Sequence, residues 1–264
     1  LIVSSTNPRL KAVRRLARRG SRSLCLAEGA RCVRAAVAAE ADVRELYVAP
    51  ELVTGGTDGD LVAIAEAAGA DVFELGAEAF ATLSDRRPDG LLAIVARPPT
   101  QLDVLDLPPE PLVVITVAIE RPGNLGAIAR TACAAGADAF VIADPRTDVF
   151  HRDAIRGSVG AVFRLRCAAA PSAQVLPWLR TRGIRVVATS PAARTPYWAD
   201  SYAGGVAIAL GCERHGLPET WLDAAAAQVA IPPHGPVDSL NVAVAAGVVL
   251  CEAARARGDT TVPA

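Results

Sequence analysis

The sequence predicts an α/β protein in two parts, and three observations carry that reading. Short apolar, β-branched runs alternate with helix-like stretches along the 264 residues, the rhythm of strands covered by helices. A proline-rich interruption follows at residues 97–111, RPPTQLDVLDLPPEP, with five prolines in fifteen positions; such a composition makes a semi-rigid connection. Beyond it the rhythm restarts with LVVITVA at residues 112–118, a largely apolar, β-branched run, as befits a parallel strand buried on both faces. The expected division is a first α/β domain at 1–97, a linker at 98–111 and a second α/β domain at 112–264.

Composition narrows the class. The chain is 52% hydrophobic and 21% charged, which is globular, and no apolar run reaches the roughly 18–20 residues of a membrane span. The start, LIVSSTNPRLK, has no apolar core of a signal peptide, so a cytoplasmic protein is expected. The sequence contains no methionine, so its natural N-terminus is expected to lie further upstream. Lysine occurs once, at Lys11, and the other 26 of the 27 basic residues are arginine, a skew that fits codon bias. Six cysteines (Cys25, Cys32, Cys133, Cys167, Cys212 and Cys251) are scattered without C-x-x-C or Cys/His ligand spacing. They are expected as buried small hydrophobes in a reducing compartment, with no metal and no disulfide framework.

Net charge is −1, but its distribution is uneven. Residues 1–27 carry Arg9, Lys11, Arg14, Arg15, Arg18, Arg19 and Arg22 and no acid. A basic head on a neutral protein suits a phosphate backbone, although a charge run is more commonly a solvated helix face. The absence of interleaved carboxylates tips the reading towards RNA or DNA.

Taken in order, residues 8–19 read as a helix entered through Asn7-Pro8, with Leu10, Val13 and Leu16 inward. Strands are expected at 24–27, 45–48, 72–75 and 91–95, and helices at 31–39, 60–68 and 77–83. This half has no histidine and no clustered polar constellation, so no catalysis is placed there. In the second half, strands are expected at 112–118, 139–143, 162–167, 184–189, 206–210 and 228–231. Asn124 is the expected N-cap of a helix ending near residue 135, where Gly136 stops it. Further helices are expected within 148–157 and at 173–182, 218–224 and 239–257. The last is apolar nearly all round through Val242, Val244, Val248, Val249 and Leu250. Burial inside the fold would explain that; burial against a second subunit is the favoured reading.

Three loops after strands in this half carry the polar residues: NLG at 124–126 with Arg130, LGCERHGL at 210–217, and IPPHGPVDSLN at 231–241. The carboxyl ends of parallel strands are where open α/β sheets bind ligands. Gly211, Gly216 and Gly235 allow close backbone approach or positive φ. Gly126 and Arg130 share a helix face, which sets one cation over a patch with little side-chain bulk. No G-x-G-x-x-G follows a strand and no G-K-[ST] loop occurs, so dinucleotide and P-loop readings are weak. A hydrolase built from Ser239, His215 or His234, and Glu213 lacks a G-x-S-x-G elbow, and both histidines read better as ordinary loop residues.

Together and in this order, NLGAIAR, LGCERHGL and IP-(six residues)-SLN resemble the three signature motifs of the SpoU/TrmH branch of the SPOUT RNA methyltransferases. The match covers essentially all of 112–257. The first half resembles the small ribosomal-protein-like RNA-binding domain that many members carry, through its STNPRLK opening and the AEGAR turn at 27–31. The resemblance implies a domain tied in a deep trefoil knot that holds S-adenosylmethionine, an obligate homodimer, and methyl transfer to a ribose 2′-hydroxyl in RNA. Residue by residue it implies Arg130 as catalytic arginine, Asn124 as its support, Glu213 from the second motif, and Ser239 and Asn241 from the third. It further implies Thr189, Leu210, Gly211, Gly216, Ile231 and Leu240 at the cofactor, and Arg156 as a phosphate-binding arginine. Ribosomal RNA is the expected substrate, with tRNA as runner-up and a non-catalytic RNA binder as the rival from another class. Cys212 and Pro233 depart from the usual pattern at positions that bear on substrate choice.

Overall fold

The computed structural model describes residues 4, 6–53, 58–84, 88–236 and 239–258. In chain order the elements are α1 (Pro8–Arg19), β1 (Leu24–Glu28), α2 (Ala30–Ala38), β2 (Val43–Val48), α3 (Asp58–Ala67), β3 (Asp71–Glu74), α4 (Ala77–Ala81) and β4 (Leu91–Ala96). They continue with β5 (Leu112–Val117), α5 (Pro122–Ala134), β6 (Ala139–Ala143), α6 (Arg152–Gly157), β7 (Cys167–Ala170), α7 (Ser172–Thr181) and β8 (Arg185–Thr189). The last are β9 (Thr195–Pro196), β10 (Val206–Leu210), α8 (Glu219–Ala224), β11 (Ala227–Ala230) and α9 (Val242–Ala256). The chain divides into two compact units, Leu1–Pro98 with Phe150–Arg164, and Pro99–Val149 with Leu165–Ala264.

The first unit is a four-stranded sheet in the order β1-β4-β2-β3, antiparallel except for the β2–β3 pair. Its element ends fall within two residues of those read from the sequence. α1 starts on Pro8 because Asn7 accepts the Arg9 N–H at 2.9 Å, and its apolar stripe buries Leu10 and Val13. A core of Leu26, Tyr47, Leu75, Phe80, Leu92 and Ile94 lies beneath them.

The segment Phe150–Arg164 corrects a sequence expectation. Residues 162–167 do not form a strand: Val162 and Phe163 lie in a 3₁₀ turn, and β7 starts only at Cys167. The apolar pair is used by the first unit, so it has no alternating strand face to supply. Within that unit the Cys32 thiol donates to the Ile155 carbonyl at 3.8 Å. Arg152 donates to Glu28 at 2.8 Å. Gly160, at φ +81°, runs so close to α2 that an added Cβ would lie 2.5 Å from that of Ala35.

The second unit is a seven-stranded parallel sheet in the order β7-β6-β5-β10-β8-β11-β9. β5, β6 and β10 are buried along their full lengths, which is why they read as unbroken apolar runs. β10 lies between β5 and β8, in register from Val206 opposite Leu112 to Leu210 opposite Thr116. The proline-rich stretch is not a free connection once past Pro98. Leu105 is buried in the core of this unit, and Thr100 accepts the Ala169 N–H at 2.8 Å. Its prolines shape a packed strap here, because apolar side chains between them find a core.

Three smaller expectations change. Asn124 is not the N-cap of α5: Arg121 holds that position and Pro122 opens the helix, as its fixed φ favours. α9 begins at Val242, with Asn241 as its cap, rather than at residue 239. Of the cysteines, Cys25, Cys32 and Cys167 are buried, Cys133 and Cys212 are half-buried, and Cys251 is exposed. Burial pushes the Cys32 thiol up to about 11, so it stays protonated at neutral pH.

Candidate active site

Because Pro122 opens α5, Asn124 sits in the first helical turn after β5 with its side chain free of capping duty. Its Nδ2 donates to Glu213 Oε1 at 2.6 Å. Its Oδ1 accepts from Asn241 Nδ2 at 3.4 Å. Asn241 serves twice, since its own Oδ1 accepts the Ala243 N–H at 2.9 Å and thereby starts α9. The fold thus joins residues 89 and 117 positions from Asn124 into one hydrogen-bonded chain, carboxylate to amide to amide. All three follow the carboxyl ends of β5, β10 and β11. α5 and α9 pack against each other, which holds the two amides in reach.

The Glu213 loop is pinned from beneath. Cys212 and Gly216 form an antiparallel bridge, and the Gly216 N–H donates to the Cys212 carbonyl at 3.0 Å. Gly216 has φ +66°. A Cβ on Gly211 would stand 2.1 Å from the Gly216 carbonyl carbon, a contact that only glycine avoids. Gly235, by contrast, has open space around it and no positive φ. Glu213, Arg214 and His215 are exposed at the loop tip, with Arg214 Nε 3.8 Å from Glu120.

A cavity of about 290 Å³ opens beside the third loop. Thr189, Ile231 and Leu240, which the resemblance implies at the cofactor, line it, and Ser239 stands on its wall. Leu210 is buried within β10, and Gly211 and Gly216 belong to the pinned loop, so these three are not part of the wall. The Thr189 hydroxyl donates to the Ala209 carbonyl at 2.9 Å, tying β8 to β10 at this end. Sequence reasoning missed Ser190, Pro191, Pro233, Ala245 and Val249, and it took His234 for an ordinary loop residue although it lines the same cavity. Their one signal was position, directly after β8 and β11 or on the first turns of α9. Apolar walls with a few hydroxyls and an imidazole fit an uncharged adenosine moiety, and the volume lies near the lower end of ordinary small-molecule sites, about 300 Å³. Among the described residues no group of three or more His, Cys, Asp or Glu is placed to hold a metal.

Arg130 is exposed on α5 and makes no hydrogen bond or ion pair among the described residues. It is therefore not part of the Asn124 chain, and its guanidinium is unengaged. The basic head divides. Lys11, Arg15, Arg18 and Arg19 line one open hollow along α1, Arg22 is exposed, and Arg14 is half-buried. Arg9 is committed elsewhere: it donates to Glu45 at 3.0 Å and stacks 4.0 Å over the Phe73 ring. Arg156 is likewise held, by Asp153 and with Glu28 at 3.9 Å.

Comparison with known proteins finds likenesses for both halves. The model of the SpoU rRNA methylase family matches residues 111–251, and that of an MRM3-like substrate binding domain matches residues 7–93. A 23S rRNA (guanosine-2′-O-)-methyltransferase RlmB of Ralstonia nicotianae is 32% identical over 164 residues, 62% of this chain and 64% of that protein. The chain thus spans just under two thirds of that relative. A crystal structure of an RNA 2′-O ribose methyltransferase superposes with TM-score 0.84 at 38% identity, over 97% of this chain and 98% of the other. An AdoMet-bound rRNA methyltransferase from Sinorhizobium meliloti gives TM-score 0.85 at 31% identity, over 96% and 97% of the two chains.

Proposed function

The chain belongs to the SpoU rRNA methylase family, and on that premise we propose that it methylates a ribose 2′-hydroxyl of ribosomal RNA with S-adenosylmethionine as donor. The observation that carries this is the Glu213–Asn124–Asn241 chain beside a cavity lined by Thr189, Ile231 and Leu240. The Ralstonia and Sinorhizobium relatives are rRNA methyltransferases, and the latter is bound to AdoMet.

In this reading Thr189, Ile231 and Leu240 hold the cofactor, with Leu210, Gly211 and Gly216 shaping the backbone beside it. The cofactor when bound supplies a methyl group on a sulfonium. In-line transfer of that group needs the hydroxyl to be oriented and to lose its proton. The free guanidinium of Arg130 is suited to hold the hydroxyl and the neighbouring phosphate and to stabilise the developing alkoxide. A guanidinium holds its proton too tightly to serve well as a base. Asn124 and Asn241 keep the first turn of α5 in place, Glu213 anchors the Asn124 amide, and Ser239 offers a hydroxyl at the cavity wall. Lys11, Arg14, Arg15, Arg18, Arg19 and Arg22 meet the RNA backbone.

Two architectural features belong to the same reading. The first is a trefoil knot, supported by β10 lying between β5 and β8 and by the Gly211 backbone pressed against Gly216 and Leu217. The second is a homodimer through α9, supported by Val244, 54% exposed on a helix whose other side packs on α5. A cytoplasmic location accords with a ribosomal substrate.

The test is calorimetric titration with S-adenosylmethionine, followed by methyl transfer to unmethylated 23S rRNA. Arg130→Ala is expected to lower transfer about 10²–10³-fold while cofactor affinity stays within twofold. A tenfold loss of cofactor affinity would place Arg130 in the cofactor site instead. Transfer to tRNA alone would replace the substrate, and cofactor binding without transfer to any RNA would leave a binder. The same preparation is expected to sediment as a dimer at micromolar concentration; a monomer would remove the subunit role of α9.

A further inference from the structure

Trp198 stands apart from the other tryptophans. Trp221 is fully buried and Trp178 is 9% exposed, but Trp198 is 52% exposed. Its indole is nonetheless held. It meets Tyr197 edge-on, with ring centroids 5.0 Å apart and an interplanar angle of 81°. The Tyr197 carbonyl accepts the Tyr202 hydroxyl at 2.7 Å, and Tyr202 is itself fully buried. Asp200 accepts the Tyr202 N–H at 2.7 Å and is clamped by both terminal nitrogens of Arg185. Burial alone would raise the Asp200 carboxyl, but these hydrogen bonds outweigh it and hold the group below its ordinary value. Asp200 therefore stays ionised and keeps the clamp closed at neutral pH.

Of the arginines near this aromatic pair in sequence, Arg185 is neutralised by Asp200. Arg194 is exposed and makes no ion pair among the described residues. The aromatic pair directly follows β9, which pairs with the last two residues of β11, the strand that runs into the cavity wall at Ile231. A half-exposed indole set edge-on against Tyr197, with exposed Arg194 four residues before it, has the features of a stacking platform for an unpaired base, where the π-face meets the base and a cation meets its phosphate.

We propose that Trp198 stacks on an unpaired nucleobase of the RNA substrate and so positions the target strand; this rests on the RNA methyltransferase reading above. The experiment uses the full chain, in vitro transcribed 23S rRNA and intrinsic tryptophan fluorescence. Titration with RNA is expected to quench the wild-type emission, and Trp198→Phe is expected to lose that quench while keeping most of the RNA affinity. Trp198→Ala is expected to weaken RNA binding and raise the KM for RNA about fivefold to a hundredfold. Its kcat at saturating RNA, cofactor affinity and sedimentation are expected to be unchanged. Full RNA affinity in Trp198→Ala, or an unquenched wild type, overturns the proposal. A monomer produced by Trp198→Ala also overturns it, because the indole is then a subunit contact. If the wild type transfers no methyl group, the enzymatic reading has failed, and the quench and affinity still decide whether Trp198 meets RNA.

Discussion

Gly211 shows how much one missing atom does. With its would-be Cβ 2.1 Å from the Gly216 carbonyl carbon and 2.3 Å from the Leu217 nitrogen, both neighbours are backbone and neither can turn aside. Gly211→Ala is expected to cost about 3 kcal/mol or more and to dislodge the Glu213 loop. Thermal unfolding and calorimetry with S-adenosylmethionine check this: a variant with unchanged Tm and cofactor affinity would show that the loop tolerates the methyl group. Asn124 teaches the converse. Its side-chain amide suits a helix cap, but Pro122 had already opened the helix, and the amide was left for Glu213 and Asn241.

At the scale of elements, α1 and α9 separate propensity from partnership. α1 is legible from end to end, because an asparagine cap, a proline at the first position and an apolar stripe are all local. Which of its cations are available is not local: Glu45 and Phe73, from β2 and β3, take Arg9. Replacing Lys11, Arg15, Arg18 and Arg19 together with Gln is expected to weaken RNA binding and to lower the log–log salt slope by roughly 3. An unchanged slope would make that face a solvated one. α9 reads as apolar all round, yet only one side meets α5; Val244 and Cys251 remain exposed. The missed turn at residues 161–163 has the same origin, since nothing within VFRLRC announces that its first two side chains are needed far upstream in sequence.

At the scale of the molecule, the first unit is discontinuous, and Phe150–Arg164 is part of it. A fragment of residues 1–98 leaves Glu28, whose side chain is only 14% exposed, without Arg152, and leaves Cys32 without the Ile155 carbonyl. Loss of a largely buried partner costs about 3 kcal/mol. The fragment is expected to unfold at a clearly lower urea midpoint than the corresponding transition of the full chain, and a peptide of residues 150–164 is expected to raise it. A midpoint insensitive to the peptide would mean that the four-stranded sheet stands without that segment.

The sequence by itself determined the α/β class, nearly every strand and helix, and the three loops at the carboxyl ends of β5, β10 and β11. Those follow from periodicity, caps and turn residues, whose physics acts within a few neighbours along the chain. Only the tertiary structure decided that β10 inserts between β5 and β8, that Asn124 bonds Glu213 and Asn241, that His234 and Val249 share a cavity with Thr189, and that residues 150–164 complete the first sheet's unit. Each of these joins groups tens to more than a hundred residues apart. A contact of that kind depends on which distant surfaces close over one another, and no local pattern encodes it.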